Sequence, residues 1–217
     1  MIFGKIEYLN LLPFHLFMKR FVRSSSAKMS MEYKRGVPSA INAAFHHRRV
    51  DAAFISSISA KKSKHLSLGI IAKREVKSVL IIPHKKEKKD SASATSNLLA
   101  DILGYTGEVL IGDRALAYAL SHDDYIDMAL AWHKRYGDPF VFALLCYHNR
   151  AGYYKKVERE FLKKKIKIPY YILERASQKT QIQKSDILEY LTLISYHVDT
   201  KALRGLKKFY KEAKRVG

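Results

Sequence analysis

Seven small polar residues fall at the ends of apolar segments: Asn10, Ser56, Ser57, Ser78, Thr95, Ser96 and Asp113. Hydroxyls, an amide and the backbone N–H groups at helix starts can hold an organic anion without burying a lysine. Taken singly, each residue is equally at home as a cap or a turn. Taken together they outline an anion-binding cleft. Other chemistries have no such outline. There is no Gly-rich dinucleotide fingerprint, phosphate-binding loop or nucleophile elbow. The nine histidines are scattered, and neither His46-His47 nor His122-Asp123-Asp124 has a partner at metal-ligand spacing. The single cysteine, Cys146, excludes an internal disulfide and a Cys-built cluster. No metal or other cofactor is expected.

Strands must carry these residues to one place. Ile2 to Glu7 reads as a strand, Tyr8-Leu9-Asn10 as the loop leaving it, and Pro13 as the first turn of a helix to about Val22. Lys28 to Tyr33 alternates weakly as a second strand. Gly36-Val37-Pro38-Ser39 opens a helix with Ile41, Ala44 and Phe45 on one face. Val50 to Ile55 is an apolar strand ending at Ser56-Ser57, and Ser67 to Ala72 and Ser78 to Pro83 are further strands. Thr95-Ser96 would cap a helix through Leu103, Glu108 to Ile111 is a strand, and Asp113 begins another helix. Ile126, Leu130 and His133 share a helical face, and Pro139 to Tyr147 reads as a buried strand. From Asn149 onward helices dominate, ending in an amphipathic one with Leu203, Leu206, Phe209 and Tyr210. The alternation predicts an α/β protein with a largely parallel sheet, whose ligands would bind beyond the strand ends. The Lys-rich stretch between Pro83 and Ser96 is the expected hinge.

The whole chain has 217 residues with 47% hydrophobic content, enough for a real core, which excludes a disordered basic chain. The formal charge is +20. It is uneven, since residues 91–150 carry more carboxylates than cations. Lys163-Lys164-Lys165 and Tyr153-Tyr154-Lys155-Lys156 superficially suit nucleic acid, but no nucleic-acid motif accompanies them, and solvated helix faces are the plainer reading. The excess positive field would still concentrate an anionic small substrate. No apolar run approaches the roughly 18 residues of a membrane span. Leu9 to Met18 is broken by Asn10, Pro13 and His15 and lacks a cleavage site, so a cytoplasmic location is expected.

Several segments together resemble the chorismate dehydratase family of the futalosine route to menaquinone. They are Tyr8-Leu9-Asn10 with Pro13, Asp51…Ser56-Ser57, Ser78-Val79-Leu80, Ser93-Ala94-Thr95-Ser96 and Ile111-Gly112-Asp113-Arg114-Ala115. Asp127…Trp132…Gly137-Asp138-Pro139-Phe140-Val141-Phe142-Ala143 and the ending Tyr190…Tyr196…Leu203…Phe209 extend the likeness over nearly the whole chain. Tyr136 and Asp138 depart from the family pattern. The resemblance implies a two-lobed type II periplasmic-binding-protein-like fold with the active site in the cleft. Residues 1–84 and about 175–217 would form one lobe, and residues 85–174 the other. It implies a cofactor-free hydro-lyase, monomer or homodimer, with no nucleic-acid or membrane partner, that eliminates water from the dicarboxylate chorismate to give 3-[(1-carboxyvinyl)oxy]benzoate. Asn10 would act at the reacting end of the ring. Ser56, Ser57, Ser78, Thr95, Ser96 and Asp113 would bind substrate. A non-catalytic small-carboxylate binding protein of the same fold, or the related dihydroxynaphthoate synthase, are the alternatives.

Overall fold

A computed structural model describes residues 1–23 and 32–216. β1 (Ile2–Lys5) runs into a 3-10 turn at Leu9–Leu11 and then α1 (Leu12–Arg23). β2 (Glu32–Arg35), α2 (Pro38–His46), β3 (Ala52–Ser56), the single turn α3 (Ser57–Ala60) and β4 (His65–Ala72) follow. The strand expected over Lys28 to Tyr33 falls mostly outside the described residues. Then come β5 (Val79–Ile82), α4 (Ala94–Leu103), β6 (Glu108–Ile111), α5 (Gly112–Ser121), β7 (Ile126–Asp127) and α6 (Met128–Tyr136). The chain ends with β8 (Phe140–Tyr147), α7 (Ala151–Leu162), α8 (Tyr170–Thr180), α9 (Lys184–Thr192), β9 (Ile194–His197) and α10 (Thr200–Val216).

Two sheets result, with strand orders β2-β1-β3-β8-β4-β9 and β6-β5-β7. The α/β class is as expected, but the largely parallel sheet is not. Only β1 with β2 and β1 with β3 pair in parallel; the other named pairs are antiparallel. The reason is the crossing. The chain leaves the larger sheet at the end of β4 and re-enters it at β8, so these neighbours must run in opposite directions. The chain passes between the two sheets at residues 73–78 and 137–139. The Lys-rich stretch after Pro83 lies within the smaller-sheet half, where Lys88 pairs beside Glu108. Its composition reports solvent exposure rather than a boundary. The sheets divide the chain differently from the expected 1–84 and 85–174. β5 joins the smaller sheet, whereas β8 joins the larger one. Helix α7 packs on β4.

Phe14 anchors the larger core, edge-on to Phe54 at 4.9 Å and to Phe161 at 5.2 Å. A second aromatic group joins the lobes' supports, with Phe140 5.2 Å from Trp132 and 5.0 Å from Phe209. Asp138 belongs there and not to the cleft. Its buried carboxylate takes Arg204 Nε at 2.6 Å, fastening α10 to the second crossing. Gly205 permits that approach, since a Cβ there would lie 2.1 Å from the Pro139 carbonyl oxygen.

His15, on α1, donates from Nε2 to the Ile6 carbonyl at 2.8 Å, while its Nδ1 is buried without a partner. Burial lowers its pKa to about 4. Above the unfolded value of about 6.5, both states are neutral and no stability is lost. As pH falls, the unfolded chain takes up the proton first, so stability drops through the window from about 6.5 down to about 4. His15 as a whole is only partly buried, so the loss between pH 7 and pH 5 should reach at most about 2 kcal/mol. Urea unfolding at both pH values, compared between wild type and His15→Asn, checks this: the variant should show a correspondingly shallower pH dependence.

Candidate active site

The strand ends deliver polar groups to a cavity between the two sheets. The space there, its open mouth and solvent included, is about 630 Å³. Asn10 reaches it from the turn after β1, Ser56 from the end of β3, Ser78 from the residue before β5, and Ser93 and Ser96 from the start of α4. Ile6, Phe54, Ile70, Val79, Ile111 and Phe142 supply an apolar surround. Among the described residues, no lysine, arginine or histidine lines it. An anion bound here would be held by hydroxyls, the Asn10 amide and the starts of α4 and α5. Those starts carry the positive end of the helix dipole. Gly112 opens α5 at φ +66°, and a Cβ on it would meet the Tyr8 ring at 2.8 Å. Glycine therefore lets Tyr8 close over the cavity wall.

The turn carrying Asn10 is clamped on both sides. Asp113 Oδ1 accepts the Leu9 N–H at 3.0 Å, and the Tyr196 hydroxyl donates to the Asn10 carbonyl at 2.7 Å. Asn10 Oδ1 is buried with no partner. Ser78 is held through its carbonyl, which accepts Gly112 N–H at 2.8 Å, and through Tyr190, whose hydroxyl donates to Ser78 Oγ at 2.9 Å. Burial raises the pKa of both Tyr190 and Tyr196, so each stays a neutral donor. Asn42 donates to Ser56 Oγ at 2.8 Å and accepts the Ser56 N–H at 3.2 Å, fixing the end of β3.

Three of the seven expected residues face elsewhere. Ser57 is fully buried and donates to the Val141 carbonyl. Thr95 is 1% exposed, and its Oγ1 accepts the Ile58 N–H at 3.1 Å, a tie between the lobes. Asp113 lies behind Tyr8 outside this cavity, with its pKa raised by burial and opposed by the Leu9 N–H. All three sit next to the cavity in sequence, but their side chains are spent on packing. Nor do Thr95 and Ser96 cap α4. The cap is Ser93, whose Oγ accepts the Ser96 N–H at 3.2 Å and donates to Ser96 Oγ at 2.8 Å. Asn42, Tyr190 and Tyr196 were missed as site residues by local reading. Only the resemblance marked the two tyrosines.

This divides Thr95 from Ser96 experimentally. Ser96→Ala should raise KM for an anionic substrate about tenfold, the share of a charged hydrogen bond that water does not replace. Thr95→Val should leave KM near wild type and lower Tm instead. Steady-state kinetics and thermal melts on both single variants check the split.

Comparison with known proteins gives the family and the fold. A family model described as menaquinone biosynthesis matches residues 1–107 and 103–215. A chorismate dehydratase from Campylobacter jejuni is 45% identical over 218 residues, 99% of this chain and 98% of that protein. Among solved structures, an Archaeoglobus fulgidus protein superposes with a TM-score of 0.71 at 12% identity, covering 99% of this chain and 96% of that one. The periplasmic aliphatic sulphonate binding protein of Escherichia coli gives 0.59 at 11% identity, covering 97% and 91%. The two structures carry the fold, a periplasmic-binding-protein-like pair of lobes. With the sequence match spanning the whole length, the chain belongs to the menaquinone-biosynthesis family that includes the Campylobacter enzyme.

Proposed function

We propose that this protein is a chorismate dehydratase, a cytoplasmic hydro-lyase that converts chorismate to 3-[(1-carboxyvinyl)oxy]benzoate without a cofactor. The observation that carries this reading is the full-length 45% identity to a chorismate dehydratase. The cavity supports it. Chorismate is a dicarboxylate with one ring hydroxyl to lose, and the ring becomes aromatic when water leaves, so the reaction runs downhill. What the protein must supply is orientation, worth several kcal/mol when reacting groups are held in one conformer. Ser78 and Ser96 suit carboxylate oxygens, and the Asn10 amide can donate to the ring hydroxyl as it leaves. Asn10 is a poor base, so the side-chain carboxylate of the substrate itself takes the C3 proton as the ring C–O bond breaks, and that proton passes to the departing hydroxide to make water.

Incubating the purified, chelator-treated protein with chorismate and separating the products by chromatography tests the reading. The enolpyruvyl benzoate should accumulate. Chorismate bound but unchanged would instead make this a carboxylate-binding protein of the same fold.

A further inference from the structure

The helical turn that carries Asn10 starts without a cap of its own. The first N–H groups of such a segment have no partner inside it, and a side chain just before them usually accepts one. Tyr8 holds that position and makes no such bond, and neither the turn nor the start of α1 after it has an acidic residue. The acceptor comes from 104 residues away, where Asp113 Oδ1 takes the Leu9 N–H at 3.0 Å. Asp113 stands in the first turn of α5, which itself opens from Ile111 without a side-chain cap. Its carboxylate is thus lent to a second helical start, where a negative group also meets the positive end of the dipole. Gly112, the residue beside it, holds the other side of the cavity. Its N–H donates to the Ser78 carbonyl at 2.8 Å, and it leaves no room for a Cβ under the Tyr8 ring. Two consecutive residues therefore grip the segments that bring Asn10 and Ser78 to the cavity.

We propose that Asp113 is a positioning residue for the reaction, a cap supplied by α5 that sets where Asn10 stands relative to Ser78. It does not line the cavity and acts only through the Leu9 N–H. What the turn requires there is an acceptor oxygen, which asparagine also has and alanine lacks. A negative charge is not required. The proposal rests on the dehydratase reading for its substrate.

Asp113→Ala removes the acceptor. Its kcat on chorismate should fall about tenfold or more while KM changes less than about threefold, the split expected when alignment in the transition state is lost. Asp113→Asn should keep kcat within about threefold of wild type. Thr95→Val cuts a tie of the same kind away from the turn, from Thr95 Oγ1 to the Ile58 N–H, and should lower Tm without that loss of kcat. Amide hydrogen exchange reads the bond itself. Beyond any change shared with core amides, Leu9 should exchange about tenfold or more faster in Asp113→Ala and near the wild-type rate in Asp113→Asn. A kcat per folded molecule within about twofold of wild type in Asp113→Ala, or unchanged Leu9 exchange, overturns the proposal. So does Asp113→Asn as impaired as the alanine variant, which would assign the charge to the chemistry. An equal loss of kcat in Thr95→Val, or an alanine variant that does not fold, makes the tie general scaffolding and overturns it as well. Wild-type protein inert on chorismate would sink the dehydratase reading separately. Leu9 exchange then decides the cap: faster in Asp113→Ala alone supports it, and equal rates in all three proteins overturn it.

Discussion

Asn10→Asp should lower kcat/KM for chorismate by two or more decades while the protein stays folded. The bonds that hold this turn, from the Leu9 N–H to Asp113 and from the Tyr196 hydroxyl to the Asn10 carbonyl, do not involve the Asn10 side chain and survive the exchange. The new group is nearly the same size, so packing gives little reason for collapse. Ionised, it offers no N–H and sets a negative charge in a cavity with no lining cation among the described residues, beside a dianion. At an effective dielectric near 20 and a contact of ~4 Å, the repulsion is about 4 kcal/mol before screening. Each ~1.4 kcal/mol is a factor of ten in rate. Burial opposes ionisation of the introduced carboxyl, and its protonated form has a donor and an acceptor much as the amide does. Activity should therefore recover in part as pH is lowered from 8 toward 5, the reverse of the trend His15 imposes on stability. Melts and kcat/KM measured together decide the matter. A variant that melts early with near-normal activity per folded molecule would assign Asn10 to structure.

Asp127→Ala should be the most destabilising single exchange at the crossing between the sheets, by about 4 kcal/mol. One carboxylate here serves four backbone donors. Oδ2 accepts Val76 N–H at 2.8 Å and Lys77 N–H at 2.6 Å, and Oδ1 accepts Ala129 N–H at 2.9 Å and Leu130 N–H at 3.0 Å. It thus caps α6 and pins the first crossing with the same side chain. Lys77 sits at φ +55°, a left-handed conformation that an L-residue keeps only when its surroundings enforce it. Alanine would leave four N–H groups without their acceptor, each costing about 1 kcal/mol or more, less where water enters. Ser78 follows directly in the chain, so kcat should fall along with stability. Urea unfolding measures the first effect and turnover at saturating chorismate the second. A loss under about 1 kcal/mol would show that the crossing is held by other contacts.

What local pattern determined is the set of elements and where polar residues leave them. The apolar runs before Ser56, at Ser78 and after Glu108 are strands because a buried strand needs little more than a short run of such residues. Pro13 and Pro38 open helices because proline suits the first turn. Asn10, Ser56, Ser78 and Ser96 could be found this way, since a polar group at a strand end or helix start is a local feature. Which way a side chain turns is not. Ser56 and Ser57 are neighbours, as are Thr95 and Ser96, yet one of each pair faces the cavity and the other bonds a distant backbone group. Strand direction was also out of reach, because β8 runs opposite to β4 only as a consequence of where the chain crosses between sheets. Strand β9 went unread inside a helical stretch, since its four residues gain their identity by pairing with β4. Tyr196 meets Asn10 across 186 residues of chain, and Tyr190 meets Ser78 across 112. Hydrogen bonds of that kind are formed by packing alone. The strand ends determined which groups gather at the cavity, and the tertiary structure decided which of their protons and lone pairs remain for a ligand.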